Sequence, residues 1–258
     1  MNQSPACRFV CSMSLLMVLC VASPSGTQSS LDGLEIMRKV DWLLHGDSKH
    51  GIIEMTVVRP NWQRTLRMEI WEKGREHSFV RIQSPLKEAG VGSLRIGAGM
   101  WNYLPSVEKV IKIAPSMMGQ NWMGSDVTND DMLKATSILH DYEHRVIGVE
   151  KVDRQQVYKI ESLPKPEAPV VWGKLVFFVR THDYVPIKQE YWGESNELVK
   201  TLIFEEIKEF NDRKFPTRWE LRPVKVDKGF TVIKYEYIEF DIPIDERIFT
   251  LQNLKSVR

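Results

Sequence analysis

Apolar and polar residues alternate with a period of two along most of the chain after residue 50. Leu66, Met68 and Ile70 are separated by charged residues, which places them on one face of a β-strand. Similar segments recur at residues 51–59, 77–82, 92–97, 100–104, 107–113, 142–150, 155–162, 172–180, 186–192, 198–210, 215–222 and 230–240. Short turn signals separate consecutive segments, so the pattern predicts an antiparallel meander and not parallel strands joined by helices.

Few helices accompany these strands. Apolar residues three positions apart predict a helix from about residue 30 to Gly46, namely Leu31, Leu34, Met37 and Val40. A second, short helix is expected to begin at Thr128 or Asn129, with Asp130 and Asp131 in its first turn. So many antiparallel strands cannot remain flat. We therefore expect one mainly β domain, in which a curved antiparallel sheet forms an incomplete β-barrel closed by helices and a loop lid.

The segment from Pro115 to Asp131 combines loop-forming residues with large apolar ones. Its Gly, Asn, Asp and Ser content predicts irregular backbone. Large flexible apolar side chains on a loop usually lie over apolar material, and here they are Met117, Met118, Trp122 and Met123. We predict that this segment is a lid over the protein's own core or over an apolar ligand. Trp101 and Tyr103 are the candidate cavity wall.

The first 22 residues predict a cleavable secretory signal. One basic residue precedes a short apolar stretch that ends in a small-x-small site before Ser23. All three cysteines of the chain lie in this stretch, so the exported single domain, residues 23–258, is expected to have no disulfide bond. Lipoprotein anchoring at Cys20 is disfavoured because Leu19, the residue before it, is large.

The charges of the chain nearly cancel, with 35 Lys and Arg residues against 34 Asp and Glu residues. No basic stripe is present, which argues against nucleic acid as a partner. Arg64, Arg67 and Arg81 are expected on neighbouring strands, where a solvated face is the simplest interpretation. An arginine at a cavity mouth would instead meet a lipid head group or carbonyl oxygens, and these three are the candidates.

No catalytic or metal-binding constellation emerges from the sequence. His140 and His144 are four residues apart, but on a strand this corresponds to about 13 Å, too far for one metal ion. Asp126, Asp130 and Asp131 fit no calcium loop, and helix capping explains two of them. No Gly-x-Ser-x-Gly elbow occurs. We therefore expect no enzyme, no cofactor and no metal.

Several segments of the chain resemble the bacterial outer-membrane lipoprotein-sorting protein family, whose members are similar to the periplasmic carrier LolA. These segments are Val58–Trp62, Trp101–Pro105, Ser116–Met118, Asn121–Asp126 and Pro169–Gly173. The resemblance implies a LolA-like fold whose cavity binds lipoprotein acyl chains or other lipids in the periplasm. It also implies an inner-membrane exporter and an outer-membrane acceptor as candidate partners.

Three roles remain open from the sequence. The first is a periplasmic carrier or binding protein for lipoprotein acyl chains or related lipids. The second is a periplasmic lipid-sensing regulator, which would signal to a partner without delivering lipid. The third is an accessory subunit of an envelope lipid exporter, with the lid as its docking surface. Transfer of lipid between vesicles is expected only of the first.

Overall fold

The computed structural model describes residue 1 and residues 32–134, 137–210, 213–225 and 229–256. Leu31–Arg258 forms one compact unit. The predicted signal peptide, Cys20 and the expected start of the first helix near residue 30 lie outside the described residues. No helix within the described ranges is long and apolar enough to cross a membrane.

Thirteen antiparallel strands in the described part of the chain form one sheet, close to the positions that the alternating pattern predicts. They are β1 Ser48–Arg59, β2 Trp62–Lys73, β3 His77–Ser84, β4 Gly92–Ile96, β5 Gly99–Leu104, β6 Lys109–Lys112, β7 Tyr142–Val152, β8 Gln155–Pro164, β9 Lys174–Arg180, β10 Pro186–Trp192, β11 Leu198–Phe210, β12 Arg213–Pro223 and β13 Phe230–Phe240. The first six strands form one meander and the last seven form another. Pairing of β1 with β13 joins the two.

The sheet is curved and, among the strands that are described, it does not close into a barrel. Its two free edges are β6 and β7, which follow one another in the chain. The connection between them, residues 113–141, therefore passes from one edge of the sheet to the other. The predicted incomplete β-barrel is confirmed, and its topology explains why the Met- and Trp-rich segment bridges the open side.

Helix α1, Gly33–His45, packs on the face of the sheet that we call the inner face. Asp32 caps the helix by accepting a hydrogen bond from a main-chain N–H at 3.0 Å. The helix ends at Gly46, as predicted. Its buried residues include two from the predicted apolar row, Met37 and Val40.

The remaining helices are short. α2, Asn129–Lys134, belongs to the connection between the sheet edges, and α3, Ile138–Asp141, directly precedes β7. α4, Leu251–Lys255, packs with the preceding 3₁₀ turn against β3, β4 and β5. These last elements lie on the outer face of the sheet, so β3 to β5 are covered on both sides.

Candidate functional site

A cavity of about 200 Å³ lies between the inner face of the sheet, α1 and the connection between the sheet edges. Most of its wall is apolar and includes Met55, Met68, Val80, Trp122, Phe177 and Leu202. An apolar cavity of about 150 Å³ is large enough to hold benzene. The cavity therefore has room for a segment of hydrocarbon, in agreement with the hollow expected from the sequence.

Trp122 holds the lid, residues 115–134, against the inner face of the sheet. Its side chain is only 3% exposed, and its indole Nε1–H donates to Ser93 Oγ at 3.0 Å. The other predicted lid residues, Met117, Met118 and Met123, are partly buried and pack against the inner-face core next to the cavity. Of the four predicted residues, Trp122 alone lines the cavity within the described part of the chain.

Asp126 attaches the lid to the junction of β1 and β13. Its carboxylate accepts two hydrogen bonds from the guanidinium of Arg59, both at 3.0 Å. The Thr231 hydroxyl donates to the same carboxylate at 2.6 Å, and the Asp126 N–H donates to that hydroxyl at 3.0 Å. In the sequence, Asp126 stands out only as a member of an acidic cluster, which does not indicate this role. Its occurrence with Arg59 among the family-like segments was the available signal.

A second polar attachment holds α2 to the opposite half of the sheet. Thr128 N–H donates to the Asp131 carboxylate at 2.7 Å, and Asp131 N–H donates to the Thr128 hydroxyl at 3.1 Å, which confirms Thr128 as the cap. Asp131 also pairs with Lys200 and accepts from the Trp172 indole N–H at 2.9 Å. The Lys200 ammonium lies 4.8 and 4.7 Å from the ring centroids of Trp172 and Tyr191.

Trp101 and Tyr103 do not line the cavity, and the expectation that they form its wall is corrected. They lie on the outer face of β5, in an apolar cluster with Phe79 and Phe249 beneath the C-terminal elements. Met100, the neighbour of Trp101, points to the inner face. Alternation along the chain places Trp101 and Tyr103 on one face, but it does not tell which face of the sheet is concave.

The three candidate head-group arginines also lie away from the cavity. Arg64 donates to the main-chain carbonyl of Met123 and so contacts the lid. Arg67 forms a half-exposed ion pair of 2.8 Å with Glu236. Arg81 donates to main-chain carbonyls at the end of α4. None of the three lines the cavity in the described structure, so the expected position at a cavity mouth is not observed.

A row of polar residues lies at one end of the cavity, and no local motif of the sequence indicated it. Lys49, Glu72, Ser78 and Arg95 lie directly opposite one another on β1, β2, β3 and β4. All four line the cavity. They are scattered along the chain, and only the register of the four strands assembles them, which is why inspection of local motifs missed them.

The polar row is linked to the end of α1. Glu72 lies 3.0 Å from both the Lys49 ammonium and the His45 Nδ1, and Lys49 also donates to the Leu44 carbonyl at 3.2 Å. Burial by itself would raise the pKa of Glu72, but Lys49 and His45 lower it well below its usual range. Glu72 is therefore ionised, and the row is charged.

The two histidines considered as metal ligands have other contacts. His140 lies in α3 with its Nδ1 2.8 Å from the Asp141 carboxylate. His144 lies in β7 with its Nδ1 2.8 Å from the Ser162 hydroxyl, and burial lowers its pKa to about 4. Within the described residues, no group of three or more His, Cys, Asp and Glu side chains has the arrangement needed to hold a metal ion.

Comparison with known proteins identifies the fold. The model of a family described as "Uncharacterized protein" matches residues 74–256. No curated protein matches the chain. A DUF1329 family protein from Desulfovibrio piger is 21% identical with a TM-score of 0.80, over 86% of this chain and 97% of that one.

Two further solved structures lead to the same fold. A LolA superfamily protein from Nitrosomonas europaea is 23% identical with a TM-score of 0.76, over 87% of this chain and 100% of that one. A domain from Vibrio parahaemolyticus considered to be an outer membrane lipoprotein-sorting protein is 21% identical with a TM-score of 0.77, over 87% and 98% of the two chains. The LolA-like fold implied by the sequence resemblance is confirmed.

Proposed function

Because the chain belongs to the family whose model matches residues 74–256, and because its fold is LolA-like, we propose that it binds and carries lipid acyl chains in the periplasm. The observation that carries this proposal is the apolar cavity beneath Trp122. The acyl chains of lipoproteins or of related lipids are the proposed cargo. Binding is by burial of hydrocarbon and requires no covalent chemistry.

The size of the cavity sets how the cargo enters. Each methylene buried in an apolar site contributes about 0.8 kcal/mol to the free energy of binding. A segment of about six methylenes therefore contributes roughly 5 kcal/mol. Pockets for drug-sized ligands are typically about 300–1,000 Å³, whereas this cavity is about 200 Å³. We therefore infer that a whole set of lipoprotein acyl chains is accommodated only after the lid moves outward.

The contacts of the lid explain how it can remain closed without cargo. The lid forms one ion pair with Arg59 on β1 and another with Lys200 on β11, and these strands belong to the two halves of the sheet. The lid is thus held at two points by ion pairs, in addition to its apolar contacts. When the lid moves away, Trp122 and the adjacent methionines present an apolar surface, which suits contact with a membrane partner that donates or accepts lipid.

Lipid transfer tests this proposal directly. Delipidated protein is incubated with vesicles that contain a fluorescent diacyl lipopeptide and then with unlabelled acceptor vesicles. We expect the protein to extract the lipopeptide and to accelerate its transfer. Saturable uptake without transfer would support the lipid-sensing alternative, and absence of uptake would overturn the proposal.

A pair of tryptophan variants gives a matched control for the transfer assay. Trp122→Ala removes a cavity-lining side chain and its hydrogen bond to Ser93. Trp192→Ala removes a partly buried tryptophan that packs in a separate cluster away from the cavity. We expect Trp122→Ala to slow transfer and Trp192→Ala to leave it unchanged.

The proposed location depends on residues 1–22, which are predicted to be a signal peptide. Mass spectrometry of the mature protein from the periplasmic fraction tests this. A mature chain that begins at Ser23 is the expected result. A diacylated chain that begins at Cys20 would instead show membrane anchoring.

A further inference from the structure

We propose that the side-chain amide of Gln189, together with the neighbouring hydroxyl of Tyr191, binds the neutral carbonyl of an ester or amide linkage in the cargo. The protein thereby distinguishes an acyl chain from a plain alkyl chain. This inference rests on the proposed function, because it places the hydrocarbon next to that carbonyl in the same cavity. It goes further in assigning the linkage that is recognised and the side chains that recognise it.

Gln189 brings an amide into an apolar part of the cavity wall. It lies on β10, directly opposite Phe177 on β9 and Leu202 on β11. All three residues line the cavity. Phe177 and Leu202 carry no hydrogen-bonding side chain, so the cross-strand neighbours of Gln189 cannot satisfy its amide.

The amide of Gln189 is buried without a partner from the protein. The residue is 8% exposed, and among the described residues no hydrogen bond to its side chain is present. A glutamine amide has two N–H donors and one carbonyl acceptor. Leaving such a group buried and unpaired is costly, and most buried polar side chains are hydrogen-bonded. The partner of this amide is therefore expected among the contents of the cavity.

Tyr191 places a hydroxyl beside this amide. It lies two positions after Gln189 on β10, on the same face and about 7 Å along the strand, and it also lines the cavity. Its ring is fixed by Trp172 at a centroid distance of 5.2 Å, while its hydroxyl makes no hydrogen bond with the described residues. Burial raises the pKa of Tyr191 well above its usual value, so the hydroxyl keeps its proton and can donate it.

The group that these two side chains fit is a carbonyl oxygen. A carbonyl oxygen has two lone pairs and can accept from both the Gln189 N–H and the Tyr191 O–H. Because both donors are neutral, the ligand group that they bind needs no charge. Ester and amide linkages share this carbonyl, whereas an ether-linked alkyl chain lacks it.

Three neutral ligands with the same chain length and the same diol head group test the assignment. They are monolauroylglycerol with an ester linkage, N-lauroyl aminopropanediol with an amide linkage and dodecylglycerol with an ether linkage. The purified, delipidated chain is titrated with each. We expect at least one carbonyl ligand to bind at least about fivefold more tightly than the ether, which corresponds to one hydrogen bond between neutral groups. The tighter of the two identifies the linkage as ester or amide.

Two glutamine variants localise the effect. Gln189→Leu removes the amide and nearly keeps the size of the side chain, whereas Gln156→Leu removes an exposed amide on β8 outside the cavity. We expect Gln189→Leu to abolish the preference for the carbonyl ligands and Gln156→Leu to preserve it. Because the Gln189 amide has no partner in the described chain, Gln189→Leu should leave the free energy of unfolding of the ligand-free protein unchanged or higher.

A tyrosine variant and a vibrational spectrum provide independent measurements. Tyr191→Phe removes only the hydroxyl and should reduce the preference for the carbonyl ligands. A carbonyl that accepts hydrogen bonds absorbs at lower infrared frequency, so monolauroylglycerol with an isotope label at its carbonyl should absorb at lower frequency on the unmodified chain than on Gln189→Leu. If Gln189→Leu does not fold, the affinity ratio on the unmodified chain and its change in Tyr191→Phe decide the question.

The outcomes separate this inference from the proposed function. Equal affinity for all three ligands would overturn the carbonyl site and leave hydrocarbon binding in place. A preference that persists in Gln189→Leu, or a clear loss of stability in that variant, would also overturn it, and an unchanged preference in Tyr191→Phe would overturn the assignment of the hydroxyl. Failure of all three ligands to bind would contradict the proposed function itself.

Discussion

The Arg59 guanidinium and the Asp126 carboxylate form a two-point ion pair in which both N···O distances are 3.0 Å. Arg59 is the last residue of β1, and Asp126 lies in the lid, 67 positions later in the chain. Both residues belong to segments by which the sequence resembles the lipoprotein-sorting family. Their contact gives a physical reason for the two segments to occur together, because one supplies the anchor and the other the lid.

Loss of this ion pair is expected to destabilise the protein. In Asp126→Asn, the Arg59 side chain keeps its charge, is only 13% exposed and has lost its carboxylate partner. Breaking a buried pair typically costs about 3–5 kcal/mol, and we expect about 3 kcal/mol in the free energy of unfolding, measured by urea denaturation. The control Asp245→Asn breaks a surface pair with Arg247 and should change stability little. Equal effects of the two variants would contradict the anchoring role.

The second lid anchor makes an independent prediction about opening of the lid. Lys200→Met leaves Asp131, whose side chain is 10% exposed, without its cation. We expect faster amide hydrogen exchange in residues 122–134 and little change in β8 and β9, because the lid is released locally. The exchange is measured on the delipidated protein by mass spectrometry.

A double-mutant cycle shows whether Lys200 acts through Asp131. In Lys200→Met combined with Asp131→Asn, neither charge remains. The loss of stability should therefore be smaller than the sum of the two single losses, with a coupling of at least about 1 kcal/mol. Strict additivity would show that Lys200 stabilises the protein through its aromatic neighbours instead.

Alternation of apolar residues was sufficient to predict the strands of this fold. The site could not be predicted in the same way, because it is formed by contacts between segments that are distant in the chain. Leu66, Met68 and Ile70 are buried on one face, as predicted, because side chains on a strand alternate strictly. The same rule placed Trp101 and Tyr103 together, but the C-terminal elements cover their face and make it a second core. Which face encloses the cavity depends on sheet curvature, which local sequence does not encode.

The polar residues were the least predictable part of the site. Lys49 and Arg95 lie at the same end of the cavity only because four strands pair in the register that aligns them. Each appears in the sequence as an ordinary charged residue of an alternating strand. The lid was recognisable because its apolar residues conflict with a loop-forming backbone, and such conflicts between local rules are typical of functional segments.

The partly buried His144 predicts a specific dependence of stability on pH. Its pKa is about 4 in the folded protein, against 6.5 in the unfolded chain. Between these values the unfolded chain binds the proton and the folded protein does not, so the free energy of unfolding falls as the pH falls from 6.5 to 4. The contribution of this group is about 3 kcal/mol, from about 1.4 kcal/mol per pKa unit.

Comparison with His144→Gln isolates this contribution from other groups that titrate in acid. Denaturant unfolding of both proteins is followed from pH 7 to pH 4. The difference in free energy of unfolding between the unmodified chain and His144→Gln should shrink as the pH falls. A difference that is independent of pH would show that His144 is not kept neutral by burial.

The central claim is that the cavity beneath the lid receives hydrocarbon, and a cavity-filling variant tests it most directly. Val80 lines the cavity, whereas Val176 is equally buried but packs in an outer-face cluster. Val80→Phe places a ring in existing space, so its stability should stay within about 1 kcal/mol of the unmodified chain. Val176→Phe overpacks a filled core and should lose about 1–3 kcal/mol.

The decisive measurement is the affinity of these two variants and of the unmodified, delipidated chain for a fluorescent fatty acid. We predict saturable binding at one site per chain. Val80→Phe should weaken this binding by at least about tenfold, which corresponds to about 1.4 kcal/mol, and Val176→Phe should leave it unchanged. Binding that is absent from the unmodified chain, or that Val80→Phe leaves intact, would contradict the account.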